Sequence, residues 1–196
     1  IMKNNESYKL ISKKEISILG EHNLMNIAFA AKTASLLGVK DEDIRDIVRD
    51  YKPAEHRLEI IVKNESGNLV VDDSKATNVD ATLKAINSFE KNIILIAGGQ
   101  DRNADFSNLK EVIKNKVKTL ILLGETADKI ASLFADSSKV EIIKVNTMEA
   151  AAQAGAKLLT KDKALLLSPA CPSWDMFSSY QERGKVFQES LIKIIN

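Results

Sequence analysis

The stretch VVDDSKATN, Val70 to Asn78, decides the fold. Two β-branched residues run into two acids, a lysine and two hydroxyls just where a helix should begin. Asp, Ser, Thr and Asn are turn and N-cap residues, so the run reads as the carboxyl end of a buried strand passing into a helix. Turn chemistry does not account for Lys75. Asp73, Lys75 and Thr77 stand at alternate positions, and if the segment stays extended they point the same way and form a compact mixed-charge site. The competing reading makes Asp73 or Thr77 a helix cap and leaves Lys75 solvated.

Outward from that stretch, strand and helix patterns alternate. Strands are expected at 57–64, 68–72, 92–97, 119–123, 141–145 and 163–168, and helices at 78–89, 107–116, 126–135, 147–160 and 176–194. Such alternation predicts an α/β domain with a mostly parallel sheet covered on both faces. NESGN, residues 64–68, reads as a hairpin turn, which makes the first strand pair an antiparallel edge hairpin. Upstream the pattern is different. YKLISKKEISIL, residues 8–19, carries two short β-like runs around a Ser-Lys-Lys turn. Leu24, Ile27, Ala28, Ala31, Ala34 and Leu37 then recur at helical spacing before Gly38. A second helix, with Ile44, Ile47, Val48 and Tyr51 on one face, ends at Pro53. The reading divides the chain into a partial helical segment, 1–53, and a complete α/β domain, 54–196.

At 196 residues and 44% hydrophobic content, the chain can bury one full core and part of a second. Twenty-eight basic against 27 acidic residues leave a formal charge of +1, which points to neither nucleic acid nor an anionic membrane. One cysteine excludes an internal disulfide framework and, with only two histidines besides, argues against a zinc cluster; no metal site is expected within the chain. No apolar run is long enough for a bilayer, and IMKNNESYKL lacks the order of a secretory signal. A cytoplasmic setting is the expectation. Ile precedes Met at the start, and the opening residues read as the interior of a longer chain.

Ligands of open parallel sheets sit outside the carboxyl ends of the strands. Four polar clusters fall there: DDSKATN at 72–78, GGQDRNADFS at 98–107, GET at 124–126 and SPACPSWDMF at 168–177. Neither G-x-G-x-x-G nor G-x-x-x-x-G-K-[ST] occurs, which weakens dinucleotide-binding and self-sufficient NTPase readings. Gly98-Gly99 reads equally as a tight turn or a close approach to a ligand. Arg102 can make a forked pair with a carboxylate; its competing role is a surface arginine paired to Asp101 or Asp105. Trp174 competes with a core plug, and Cys171 reads as a small buried hydrophobe.

Read in order, GEHNLMN, AEHRLE, VDDSKATN, GGQDRNADFS and LSPACPSWDMFSSYQERG resemble the C-terminal part of the Mur ligase family. The resemblance runs from Gly20 to Phe187, and DSKATN is its most specific motif. It implies a Rossmann-like amino-acid-binding domain at 54–196, preceded by the tail of a central ATPase domain at 1–53. It further implies ATP-dependent addition of D-glutamate to UDP-N-acetylmuramoyl-L-alanine in peptidoglycan precursor synthesis, through an acyl phosphate.

The same resemblance implies that Asn23 and Asn26 lie near the adenine, Arg57 reaches the ATP phosphates and Asp73 contacts the ribose. Lys75, Thr77, Arg102, Ser173 and Tyr180 would line the D-glutamate pocket, with Trp174 giving a backbone contact; Arg57 and Lys75 are the catalytic candidates. Arg102 stands where many members have Lys, and Tyr180 where some have Phe. The P-loop and the Mg²⁺ ligands are expected upstream of residue 1, so the chain alone is expected to be inactive. It is also expected to be monomeric. The alternatives are a sister Mur-type or folylpolyglutamate-type ligase and a non-catalytic ligand-binding module.

Overall fold

The computed structural model describes residues 2–3, 6–7, 9–63 and 68–195. They fall into two compact units, Ile1–Pro53 and Ala54–Asn196. In the first, β1 (Met2–Lys3) and β2 (Glu6–Ser7) pair antiparallel. The two β-like runs expected within 8–19 are absent among the described residues. One 3-10 turn, Lys13–Glu15, stands there instead. Ser12 N donates to Glu15 Oε1 at 3.1 Å and Glu15 N to Ser12 O at 3.0 Å, a local closure available to a segment that has no strand to pair with.

Helices α1 (Glu21–Leu36) and α2 (Asp41–Asp50) follow. Their small core joins Leu10, Ala31, Ile44 and Val48, with Ile27 and Ala34 packed against it. The apolar face expected on α1 is narrower than its spacing implied, since Leu37 is 79% exposed. Met25, Phe29, Leu36, Ile47 and Tyr51 are also exposed.

The second unit contains β3 (Glu59–Lys63), β4 (Leu69–Asp72), α3 (Val79–Asn87), β5 (Ile93–Ala97), α4 (Lys110–Lys116) and β6 (Val117–Leu122). It continues with α5 (Ala127–Ser132), β7 (Glu141–Lys144), α6 (Met148–Leu158), β8 (Ala164–Leu167) and α7 (Tyr180–Ile195). One sheet runs β3-β4-β8-β5-β6-β7. Every neighbouring pair is parallel except β3–β4, so the expected fold class is found. The hairpin turn expected at NESGN lies outside the described residues except for Asn68.

The run IILIA of β5 and the run ALLL of β8 are buried throughout, as strands covered on both faces must be. Ile94, Ile96, Leu165, Leu167, Ile121 and Val70 pack with Met148, Ala151 and Ala152 of α6 and with Phe187 and Leu191 of α7. Their alternate neighbours Leu95, Leu120, Leu122 and Leu166 are equally buried and point to the opposite face. Gly155 lets α6 lie against the sheet, because a Cβ there would meet Leu165 Cδ1 at 2.5 Å. The last strand, β8, is inserted between β4 and β5. That reversal of strand order gathers the loops after β4, β5 and β8 at one crevice, the place where such sheets bind ligands. No helix among the described residues is long and apolar enough to cross a membrane.

Candidate functional site

At this edge lies a cleft of about 410 Å³, bordered by Thr77 and Asn78 after β4, Gln100 and Arg102 after β5, and Ser173, Trp174 and Tyr180 after β8. Five of the six expected amino-acid-binding residues therefore border one cavity. The sixth, Lys75, is attached to it: its Nζ donates to the Tyr180 hydroxyl at 2.9 Å and lies 4.4 Å from the centre of that ring.

The segment does not stay extended. Ala76 N donates to Asp73 O and Thr77 N to Lys75 O, so the chain turns twice in five residues. Asp73, Lys75 and Thr77 consequently do not share one face, contrary to the alternation. Asp73 turns inward, where Oδ1 accepts from Leu58 N at 3.2 Å and Oδ2 from the Ser168 hydroxyl at 2.9 Å. Burial, reinforced by the neighbouring Asp72, pushes its carboxyl up to about 7. Neither Asp73 nor Thr77 caps α3. Asn78 does, its Oδ1 accepting from Ala81 N at 2.9 Å.

The competing roles of the other candidates also give way. Asp101 pairs with Lys129 rather than Arg102, and that bond holds its carboxyl below the ordinary range. Asp105 accepts from the backbone and hydroxyl of Ser107. Arg102 instead donates Nε to Gln100 Oε1 at 3.2 Å and lays its guanidinium 4.4 Å from the Trp174 ring centre. Trp174 is no core plug, being 58% exposed. Ser173 is buried at the cleft wall, and its hydroxyl has no hydrogen-bond partner among the described residues. Cys171 is the buried hydrophobe expected; burial raises its thiol to about 11, so it is no nucleophile at neutral pH.

Gly98 and Gly99 serve contact between loops. Their φ angles are 114° and 148°, and a Cβ would lie 2.0 Å from Leu123 O or 2.4 Å from Pro172 O. Close approach of backbone to backbone accounts for both.

Two arrangements escaped the sequence reading. Arg183, on α7, is 2% exposed and ties the cleft's two main loops together. Its Nε donates to Ser74 Oγ, Nη2 to Ser74 O and Nη1 to Cys171 O, at 3.0, 2.7 and 3.0 Å. The second arrangement is His56 Nδ1 against Asp72 Oδ2 at 2.7 Å, with Gln188 Nε2 donating to both Asp72 and Glu59. His56, Glu59 and Asp72 are close enough to suggest a cation. The Gln188 amide already bridges the two carboxylates, and a Mg²⁺ ion prefers octahedral oxygen ligands. This donor set does not fit Mg²⁺.

The His56–Asp72 hydrogen bond stands against α7 because residue 184 is glycine. A Cβ there would lie 2.2 Å from His56 Nδ1 and 2.8 Å from Asp72 Oδ2. Gly184→Ala gains about 1 kcal/mol in helix propensity and loses about 1–3 kcal/mol to overpacking. The net loss is about 0–2 kcal/mol, so the Tm of this unit is expected to fall by up to about 6 °C; a thermal melt showing a higher Tm would refute the packing argument.

Arg57 is exposed between His56 and Leu58, whose φ angles are 62° and 43°. Two left-handed non-glycine residues cost on the order of 1–3 kcal/mol each. His56 N donating to Glu59 Oε2 and Leu58 N to Asp73 Oδ1 hold the turn. In the first unit, Asn23 donates Nδ2 to Leu19 O at 2.8 Å and Asn26 is exposed.

Residues 56–171 match the family described as Mur ligase, glutamate ligase domain. The chain is 40% identical over 187 residues to the UDP-N-acetylmuramoylalanine–D-glutamate ligase of Clostridioides difficile, covering 95% of this chain and 41% of that protein. It is 45% identical over 181 residues to the ligase of the same name from Natranaerobius thermophilus, covering 91% and 39%. The chain thus spans about two fifths of the length of these relatives. Among solved structures, the UDP-N-acetylmuramate–alanine ligase of Thermotoga maritima superposes with a TM-score of 0.66 at 14% identity, covering 91% of this chain and 40% of that one. The folylpolyglutamate synthase of the same organism gives 0.61 at 14% identity, covering 89% and 40%. Identities so low carry the fold alone.

Proposed function

The chain belongs to the Mur ligase family, and from that premise we propose that it is the C-terminal part of an ATP-dependent ligase joining D-glutamate to UDP-N-acetylmuramoyl-L-alanine. The observation that carries the proposal is the convergence of Thr77, Arg102, Ser173 and Tyr180 on one cleft, with Lys75 held beside it. A small dicarboxylic amino acid needs two anion clamps, and the cleft offers a guanidinium, an ammonium and free hydroxyls.

In the parent enzyme, an alanyl carboxylate oxygen attacks the γ-phosphorus of ATP and ADP departs. The D-glutamate amine, having lost a proton, then attacks the acyl carbon and phosphate leaves. Arg57, presented on its held turn, offsets phosphoryl charge, and Lys75 orients the incoming amino acid. Asp73, Asn23 and Asn26 belong to the nucleotide side. Mg²⁺, when bound, neutralises phosphate charge, and its ligands belong to segments outside this chain. Residues 1–53 supply the end of the central ATPase domain, and the chain alone does not turn over. The setting is cytoplasmic.

Titration of D- and L-glutamate against ¹⁵N-labelled chain tests this reading. D-Glutamate is expected to shift amides at 73–78, 100–104 and 172–180 more strongly than its enantiomer. Lys75→Ala is expected to weaken D-glutamate binding about 10- to 100-fold, the worth of one charged hydrogen bond. Equal weak shifts for both enantiomers, unchanged by the substitution, would end the assignment. Amino-acid competition on the full-length parent separates it from a sister ligase.

A further inference from the structure

We propose that the side chains of Trp174 and Tyr180 are positioning residues that set the anion affinity of the cleft by holding its two cations in place. The proposal deepens the reading above and rests on it for the identity of the guest. Each cation of the site is matched with one aromatic ring from the segment after β8. The Arg102 guanidinium lies 4.4 Å from the Trp174 ring centre, and Lys75 Nζ lies 4.4 Å from that of Tyr180.

Neither pairing is a by-product of core packing. Trp174 is 58% exposed, a large apolar surface that solvent disfavours and that the guanidinium partly covers. Arg102 itself is an exposed, long side chain whose rotamers would otherwise be free. Face contact with the indole and Nε donation to Gln100 fix the plane of the guanidinium. Its two Nη groups have no hydrogen-bond partner among the described residues, which leaves the forked edge for a carboxylate. Gln100 is anchored in turn, its N donating to Pro172 O at 3.0 Å.

Tyr180 acts on Lys75 in two ways, since the hydroxyl accepts from Nζ at 2.9 Å while the ring faces the same ammonium. The ring is itself fixed edge-on to His56, with centroids 6.3 Å apart. The Ser74 hydroxyl also donates to Tyr180 O at 2.8 Å. The hydroxyl that distinguishes tyrosine from phenylalanine here therefore orients the lysine. Two further donors remain on Nζ for a guest.

Immobilising a rotamer-rich side chain in advance removes that cost from binding, an effect of about three- to tenfold per side chain. The test titrates D-glutamate, L-glutamate and glutarate against the chain and its Trp174→Leu, Trp174→Phe and Tyr180→Phe variants, following amides and the Arg102 Nε–H resonance. Trp174→Leu is expected to abolish the ring-current shift of that resonance and to weaken D-glutamate and glutarate about three- to tenfold. Trp174→Phe restores most of both, and Tyr180→Phe weakens both anions while leaving the Arg102 resonance unmoved. Unchanged or tighter binding in Trp174→Leu and Tyr180→Phe overturns the proposal, as does failure of every anion to bind the parent chain. Equal binding of the glutamate enantiomers with the variant effects intact removes the D-glutamate reading and leaves the positioning role standing.

Discussion

Replacing Arg183 with methionine is expected to lower the unfolding free energy of residues 54–196 by about 2–4 kcal/mol. Two opposing effects set the figure. Burial lowers the guanidinium's pKa to about 10, so it stays charged at neutral pH and its desolvation counts against the fold. Methionine relieves that cost and keeps much of the volume. It also removes three hydrogen bonds from a charged donor, each worth about 1.5–3 kcal/mol, and leaves Ser74 O and Cys171 O without their donors. Loss exceeds relief. No carboxylate forms an ion pair with Arg183 among the described residues, so methionine strands no partner charge.

The damage should be local before it is global, because the lost bonds join the 73–78 and 168–179 loops rather than the sheet. Amide exchange is expected to quicken in those loops at denaturant concentrations where β5 and β6 stay protected. Trp174 is the chain's one tryptophan and lies on the second unit, so its fluorescence in a urea titration reads this unit separately from residues 1–53. An unfolding free energy within about 0.5 kcal/mol of the parent's, with unaltered loop exchange, would show that the clasp contributes nothing.

Why Arg183 was missed, when the cleft around it was found, follows from where each signal resides. Strand and helix existence is local: runs such as IILIA and ALLL declare burial on both faces by composition alone. Loop residues such as Arg102 and Ser173 stand out because polar clusters follow apolar strands. An arginine inside a helical pattern looks solvated, and its partners Ser74 and Cys171 are 109 and 12 residues away. One signal was present: Arg183, Phe187 and Leu191 recur every four residues, and all three are buried. An arginine on the apolar stripe of a helix must find acceptors inside.

Strand order was equally illegible, since the placement of β8 between β4 and β5 depends on pairing between residues 95 and 71 positions apart. The alternation argument at Asp73, Lys75 and Thr77 failed for a different reason. Period two holds only while the chain stays extended. Turn residues at Asp73 and Ser74 had already argued against that extension.

Asp73 provides the second large effect, a stability that falls as pH rises. Its carboxyl is raised from 3.8 to about 7, first by burial and then by Asp72, against the lowering bonds from Ser168 and Leu58. Below pH 4 the group is protonated in both folded and unfolded chains, and its contribution is fully present. Between pH 4 and 7 the unfolded chain releases the proton while the folded one retains it, so the fold loses about 1.4 kcal/mol per pH unit, about 4 kcal/mol across the window. Above 7 the loss is complete. Asp101, Asp105 and Glu182 run the other way, because hydrogen bonds hold their carboxyls low and their contributions fade on acidification.

A difference experiment isolates Asp73 from them. Asn at this position keeps an oxygen for Leu58 N and offers an amide to Ser168 Oγ, whose own proton can turn to Thr82 Oγ1, 3.0 Å away. Subtracting the Asp73→Asn stability curve from that of the parent, by urea titration between pH 4 and 8.5, is expected to leave a decline of about 4 kcal/mol, centred between the two pKa values. Parallel curves would mean that Asp73 is ionised inside the fold, with Arg57 across from it carrying the compensating charge.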